Sequence, residues 1–195
     1  MKLYVIRHGQ SENNLKRCHT GWAQVSLTEK GFEDAKRISG FLAKIQFDKI
    51  YASDLLRAKQ TAETAIPGCV YEEDSRLREI HVGEISGKTA DECYELFGEP
   101  YMEEKAKSNY VPFGGENIEM FRARVQSFLD MLTERTDACV AVFAHAGFLK
   151  TALECVFETA LPRRNIKCEN CTIAIFEYEN DTWYFSGWIS PEELN

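Results

Sequence analysis

The sequence predicts an α/β fold, with a mainly parallel sheet and helices on both faces. Short, wholly apolar runs at Leu3 to Ile6 and Ala138 to Ala144 read as strands covered on both sides. Segments with apolar residues every three or four positions alternate with such runs, the pattern of sheet and packing helices. Connections long enough to hold a helix then imply right-handed crossovers between parallel strands.

The first strand, Lys2-Leu3-Tyr4-Val5-Ile6-Arg7-His8-Gly9, is apolar until it ends in a cation, an imidazole and a glycine. Ligands of open α/β sheets sit beyond the carboxyl ends of the strands. Arg7 and His8 are therefore delivered to that rim, and Gly9 lets the backbone turn closely around them. Gln10 to Gln24 is polar, contains Gly21 and lacks apolar periodicity, so it reads as a loop with room for one helical turn. Thr28 caps a helix whose stripe is Phe32, Ala35, Ile38, Leu42 and Ile45. Phe47 to Ala52 forms a second strand. Ser53 or Asp54 caps the next helix, with Leu55, Ala58, Ala62 and Ile66 inward, and Pro67-Gly68 stops it.

Cys69 to Glu73 is a weaker third strand, and Arg76 to Lys88 a charged loop. Thr89 to Tyr110 carries one or two short helices and ends at Val111-Pro112-Phe113-Gly114-Gly115. This is an expected insertion over the active site, at about residues 80–115, in an otherwise single domain spanning 1–195. A helix from Glu116 to about Arg135 follows, with Ile118, Phe121, Val125, Phe128 and Leu132 on one stripe. The strand Ala138 to Ala144 ends in His145-Ala146-Gly147 and leads to a helix from Phe148 to Phe157. Thr172 to Tyr178 and Trp183 to Trp188, separated by Glu179-Asn180-Asp181, close the chain as a hairpin-like pair. His8 and His145 thus occupy equivalent places, each after a core strand and before a glycine.

Composition bounds the function. The chain has 44% apolar and 28% charged residues, and no apolar run approaches the roughly eighteen needed to span a bilayer. Its start shows a strand pattern rather than a secretory signal, so a mature chain beginning near Met1 and a cytoplasmic location are expected. The net charge of −8 disfavours a nucleic-acid partner, since phosphate-backbone binding needs basic patches. Any anion site must be locally positive within an acidic molecule. The seven cysteines fit reduced, mostly buried thiols, and Cys168-Glu169-Asn170-Cys171 lacks the second pair of a zinc site. No metal or cofactor is called for, and the oligomeric state is not readable, since Trp183, Tyr184 and Trp188 fit core, edge or interface equally.

Four blocks in series, Arg7-His8-Gly9-Gln10-Ser11-Glu12-Asn13-Asn14, Ser53-Asp54-Leu55-Leu56-Arg57-Ala58-Lys59-Gln60-Thr61-Ala62, Leu77-Arg78-Glu79-Ile80 and His145-Ala146-Gly147, resemble the histidine phosphatase superfamily, the phosphoglycerate mutase-like proteins. The resemblance spans nearly the whole chain and implies a three-layer α/β/α fold with a mostly parallel sheet and one antiparallel strand. It also implies that His8 attacks phosphorus and becomes a phosphohistidine. A neutral imidazole is a usable nucleophile when its other nitrogen donates to a carbonyl, which Gly9 can present. Arg7, Arg57 and His145 would hold the equatorial oxygens without a metal, and Asn14 would add a neutral donor. Glu79 would protonate the leaving oxygen and then take a proton from the hydrolytic water.

The substrate-contacting set implied by the same blocks is Gly9, Ser11, Asn14, Gly21, His81 and Ala146, and Phe113-Gly114-Gly115-Glu116-Asn117 resembles a loop and helix start placed over the substrate. One position departs. Where many relatives carry an arginine ahead of the loop glycine, this chain has Cys18, with Arg17 displaced by one, which puts a second phosphate or carboxylate contact from this loop in question. The short stretch from Ile80 to Gly114, without a proline-rich segment, resembles compact phosphatases of small phosphorylated metabolites, among them α-ribazole phosphate, sugar phosphates, phosphoglycerates and broader monoesters. Phosphoglycerate mutase-type transfer and a catalytically silent phospho-ligand-binding or scaffold protein remain the alternatives.

Overall fold

The computed structural model describes residues 1–194. Along the chain run β1 (Lys2–Arg7), a short α1 (Glu12–Lys16), α2 (Glu29–Leu42), β2 (Lys49–Ala52), α3 (Leu56–Ala65) and β3 (Glu72–Glu73). There follow α4 (Ala90–Phe97), α5 (Glu99–Ala106), α6 (Ile118–Thr133), β4 (Cys139–Ala144), α7 (Ala146–Val156), β5 (Ile173–Glu179) and β6 (Thr182–Ile189). The strands form one sheet in the order β3-β2-β4-β1-β5-β6. β1 to β4 pair in parallel, while β5 runs antiparallel to both of its neighbours. A mostly parallel sheet with one antiparallel strand is the architecture the sequence implies.

Alternation along β1 builds the three layers, because successive side chains point to opposite faces. Leu3 and Val5 join Phe121, Val125 and Phe128 of α6 and Phe148 and Leu149 of α7. Tyr4 and Ile6 join Ala35, Ile38 and Leu42 of α2 and Ala62 and Ala65 of α3. Burial on both faces explains why β1 is continuously apolar. Val82, Ile85, Cys93, Tyr101, Tyr110 and Phe113 form a third, separate apolar cluster beside the rim of the sheet.

The register of β1 with β4 places Arg7 opposite Ala144. α2 then covers one face after β1, and α7 covers the other after β4. Because the two chains diverge there, the carboxyl ends of the two central strands open into a crevice. At the far edge, Asn180 and Asp181 both take positive φ, 49° and 58°. That is the two-residue mirror-image turn whose twist matches a hairpin.

Several boundaries differ from expectation, each for a local reason. α3 is not capped by Ser53 or Asp54, because the Ser53 hydroxyl meets His145 and the Asp54 carboxylate pairs with Arg78. Instead Leu55 is the cap residue, and the Leu56 N–H donates to the Gln24 side chain at 2.8 Å. β3 shrinks to Glu72–Glu73, with Val70 of the expected strand left exposed. Ile45 falls beyond α2, which ends at Leu42. α6 starts at Ile118 because Asn117 caps it through the Met120 N–H. α7 begins two residues earlier than the periodicity suggests, at Ala146.

The start of α2 is packed directly against the loop leaving β1. The Thr28 N–H donates to the Gln10 carbonyl at 2.8 Å, and a Cβ on Gly31 would overlap that same carbonyl oxygen. Gly31→Ala is therefore expected to destabilise the protein by about 1–3 kcal/mol through forced backbone displacement. Gly40→Ala, in the same helix with open space around it, is expected to stabilise by about 0.5–1 kcal/mol through helix propensity. Urea unfolding of the two variants checks both signs.

Candidate active site

The pairing of β1 with β4 continues for one residue past the strand ends, with the His8 N–H donating to the Ala144 carbonyl at 3.0 Å. The rings of His8 and His145 consequently meet at a centroid distance of 5.1 Å and an interplanar angle of 60°. Both are buried. His8 Nδ1 lies 2.6 Å from the Gly9 carbonyl oxygen. A carbonyl only accepts, so in the neutral ring Nδ1 carries the proton and Nε2 keeps its lone pair. The Arg57 Nε–H donates to that Nε2 across 3.3 Å, a long bond.

Arg57 is fully buried on the first turn of α3. Its other ends donate to the Ala23 carbonyl at 3.0 Å and the Gly21 carbonyl at 2.9 Å. Arg7 donates to the Cys168 carbonyl. His145 Nε2 lies 2.9 Å from the Ser53 hydroxyl. Two buried polar atoms of this cluster, Arg7 Nε and His145 Nδ1, have no hydrogen-bond partner.

Electrostatics follow from that crowding. Burial, then the charges of Arg57 and Arg7, hold the His8 imidazole well below its ordinary value of 6.5, and the Gly9 bond only partly offsets them. His145 is lowered in the same way, by burial first and Arg57 second. Burial also pulls Arg57 down to about 10. Among the described residues no carboxylate lies within salt-bridge distance of Arg7 or Arg57.

Glu79 faces this cluster from the loop after β3. Its two carboxylate oxygens accept the N–H groups of Gly147 at 3.0 Å and Ile80 at 2.9 Å. A Cβ on Gly147 would overlap the Glu79 carboxylate, so only glycine permits this approach. The loop backbone is braced from behind. Arg124 of α6 uses all five N–H donors on the carbonyls of Arg76, Arg78 and Glu79 and on both oxygens of Glu116. Trp22 donates its indole N–H to the Glu79 carbonyl at 2.7 Å, stacks on His81 at 4.3 Å and carries the Arg78 guanidinium 4.5 Å over its ring.

A cavity of about 230 Å³ opens among these groups. Arg7, His8, Asn14, Gly21, Arg57, Glu79 and Ala146, all singled out from the sequence, line it, and His145 packs behind His8. The Asn14 Oδ1 accepts from the Ser11 N–H and from Asn170, which leaves its amide nitrogen as the free donor. Three expected contacts lie elsewhere. Ser11 is the buried N-cap of α1, bonded reciprocally with Asn14. His81 is held against Trp22, and the Gly9 carbonyl serves the His8 ring rather than the cavity. The stretch 113–117 does not line the cavity either; Glu116 instead takes the His81 N–H and Arg124.

The roles of Trp22, Arg124 and Tyr110 carry no local sequence signal. Trp22 lies in a polar loop without periodicity, Arg124 on the charged face of an amphipathic helix, and Tyr110 at the end of the 80–115 stretch.

The family model described as the histidine phosphatase superfamily, branch 1, matches residues 3–191. The chain belongs to the histidine phosphatase superfamily. Among relatives of this superfamily protein, a probable phosphoglycerate mutase GpmB of Salmonella choleraesuis is 28% identical over 198 residues, covering 97% of this chain and 90% of that one. YhfR of Bacillus stearothermophilus is 29% identical with a TM-score of 0.83, covering 95% of each chain. The alpha-ribazole phosphatase of Shigella flexneri superposes with a TM-score of 0.91 over 98% of this chain and 97% of its own, at 21% identity, a likeness of fold.

The buried imidazoles of this superfamily member give a measurable signature. By nitrogen-15 NMR, His8 is expected to stay neutral, with its proton on Nδ1, well below pH 6.5, and Arg57→Ala is expected to raise its pKa. Below 6.5 the unfolded histidines bind protons that the folded ones refuse, so stability falls with acidification through that window. Urea midpoints at pH 7 and pH 5.5 check the sign.

Proposed function

We propose that the protein is a metal-independent phosphomonoesterase that hydrolyses a small phosphorylated metabolite through a phosphohistidine on His8. The observation that carries the reading is the 2.6 Å contact of His8 Nδ1 with the Gly9 carbonyl, which in the neutral ring leaves the Nε2 lone pair on a cavity flanked by Arg7, Arg57 and Glu79. The Nε2 atom attacks phosphorus as the ester P–O bond breaks, and Glu79 delivers a proton to the leaving alkoxide. Water then attacks the phosphohistidine, Glu79 takes its proton, and phosphate leaves with the lone pair restored to Nε2. Arg7 and Arg57 stabilise charge on the equatorial oxygens, the role a metal fills in other phosphoryl transferases. The unpartnered Arg7 Nε supports this, since a dianion in the cavity would satisfy it. As the dianion enters, the long Arg57 contact to His8 can be exchanged for a phosphoryl oxygen.

The named relatives divide between mutase and phosphatase. A mutase must hold a second anionic group and exclude water while His8 carries the phosphoryl group. Arg17, the nearest cation of the loop in question, is exposed and does not line the cavity. That favours hydrolysis.

Phosphate release from small phosphomonoesters in EDTA is the test. Wild-type release is expected to persist in the chelator, and His8→Ala to lower it by at least about 10³-fold with loss of acid-labile phosphoenzyme. Glu79→Gln is expected to cost about 10²–10⁴-fold on alkyl phosphates and much less on 4-nitrophenyl phosphate, whose leaving group needs no proton. Isomerisation of 3-phosphoglycerate with 2,3-bisphosphoglycerate, without release, would replace the reading with a mutase. Release unchanged in His8→Ala would remove it altogether.

A further inference from the structure

The cavity is chemically two-sided. Its cations, Arg7 and Arg57, belong to the His8 cluster. Much of the remaining lining is Cys18, His19, Thr20, Ile80, Val82 and Tyr110, none of which carries a fixed charge. His19 is bound to the Tyr101 hydroxyl at 2.6 Å, and burial together with Lys105 lowers its pKa, so it stays neutral near pH 7. Glu79 adds a carboxyl group to the same space, which offers no positive charge to a second anion.

Cations around the rim are engaged elsewhere. Arg124 has no donor left, and Arg78 pairs with Asp54. Arg163 bonds Glu154, Thr151 and the Gly147 carbonyl, and the Lys105 ammonium lies 5.3 Å over the Tyr101 ring. A carboxylate or second phosphate on the leaving group would therefore be desolvated beside Glu79 with no cation in that wall to meet it, whereas hydroxyls find Thr20 and Tyr110. At about 230 Å³ the cavity is also smaller than the roughly 300–1,000 Å³ of ordinary ligand pockets.

Resting on the phosphomonoesterase reading, we infer that the substrate is the phosphate monoester of a small uncharged alcohol, and that the neutral wall formed by Cys18, His19, Thr20 and Tyr110 discriminates against leaving groups bearing a carboxylate or a second phosphate. Glycerol 3-phosphate and 3-phosphoglycerate form the matched test pair, since they differ only in a hydroxymethyl group against a carboxylate. With 4-nitrophenyl phosphate as reporter, the two are compared as competing substrates at constant ionic strength. The glycerol ester is expected to be favoured by about tenfold or more in kcat/KM or, where turnover is slow, in inhibition constant. Thr20→Arg, which places a guanidinium on the neutral wall, is expected to narrow that ratio by improving the phosphoglycerate.

Equal or better use of 3-phosphoglycerate by the wild type would overturn the inference while leaving the phosphatase standing. Should Thr20→Arg fail to fold, the wild-type ratio decides alone. If 4-nitrophenyl phosphate and every other ester are left intact, the phosphatase reading is what fails. Calorimetric binding of the same pair to the wild-type protein then decides the inference, with tighter binding of the glycerol ester supporting it and equal or weaker binding overturning it.

Discussion

The burial of Arg57 is the constraint on which the rest of the site depends. A guanidinium removed from water needs its donors satisfied and its charge compensated, or the folded state is weakened by several kcal/mol. Here the protein supplies the donors' partners, two carbonyls and the His8 ring, but no carboxylate at salt-bridge distance. The charge, offset only at a distance by Glu79, acts on everything near it. It helps keep two histidines neutral, one of them presenting a lone pair, and makes a locally positive pocket in a chain of net charge −8. Under the proposed reading, an incoming phosphate dianion would relieve a cost already present in the fold and concentrate binding energy on the phosphoryl group.

The carboxylate that faces this cluster is held by different means. Glu79 comes from an irregular loop, which by itself would be too mobile to aim a side chain within tenths of an ångström. Its backbone is stiffened by Arg124 behind and Trp22 at the side, and its carboxylate is received by the first turn of α7 at Gly147. Trp22 ties this loop to the other half of the site, because its neighbours Gly21 and Ala23 supply the carbonyls that hold Arg57. One three-residue stretch thus sets the position of the cation relative to the acid. A displacement of either is transmitted to the other through a single hydrogen-bonded loop.

Much of this was legible in the sequence because it depends on periodicity and strand ends. β1 and β4 announce themselves by unbroken apolar runs, and polar residues at their carboxyl ends locate His8 and His145. Lateral order within the sheet is set by long-range packing, which no spacing in the sequence reports. What stayed illegible depends on partners remote in sequence. Arg124 reads as one more charge on a solvated helix face until its helix lies under the Glu79 loop. Ser11 and His81 sit in motif-bearing stretches, but the capping of α1 claims one and the Trp22 stack holds the other. Local spacing cannot distinguish a residue that touches a ligand from one that shapes the loop beside it.

The separate apolar cluster of Val82, Ile85, Cys93, Tyr101, Tyr110 and Phe113 contributes Val82 and Tyr110 to one wall of the cavity. It is tied to the loop that holds Arg57: the Tyr101 hydroxyl meets His19 at 2.6 Å, the neighbouring Ser86 hydroxyl donates to the Thr20 carbonyl at 2.8 Å, and Val82 packs against Gly21. A substitution that reshapes the wall is therefore felt at the Gly21 carbonyl that holds Arg57. The His8 cluster is held by the Gly9, Cys168, Gly21 and Ala23 carbonyls and by the Ser53 hydroxyl beside His145. Because wall and cluster share one loop, likeness of fold among these relatives describes the architecture of the rim and not the ligand it takes.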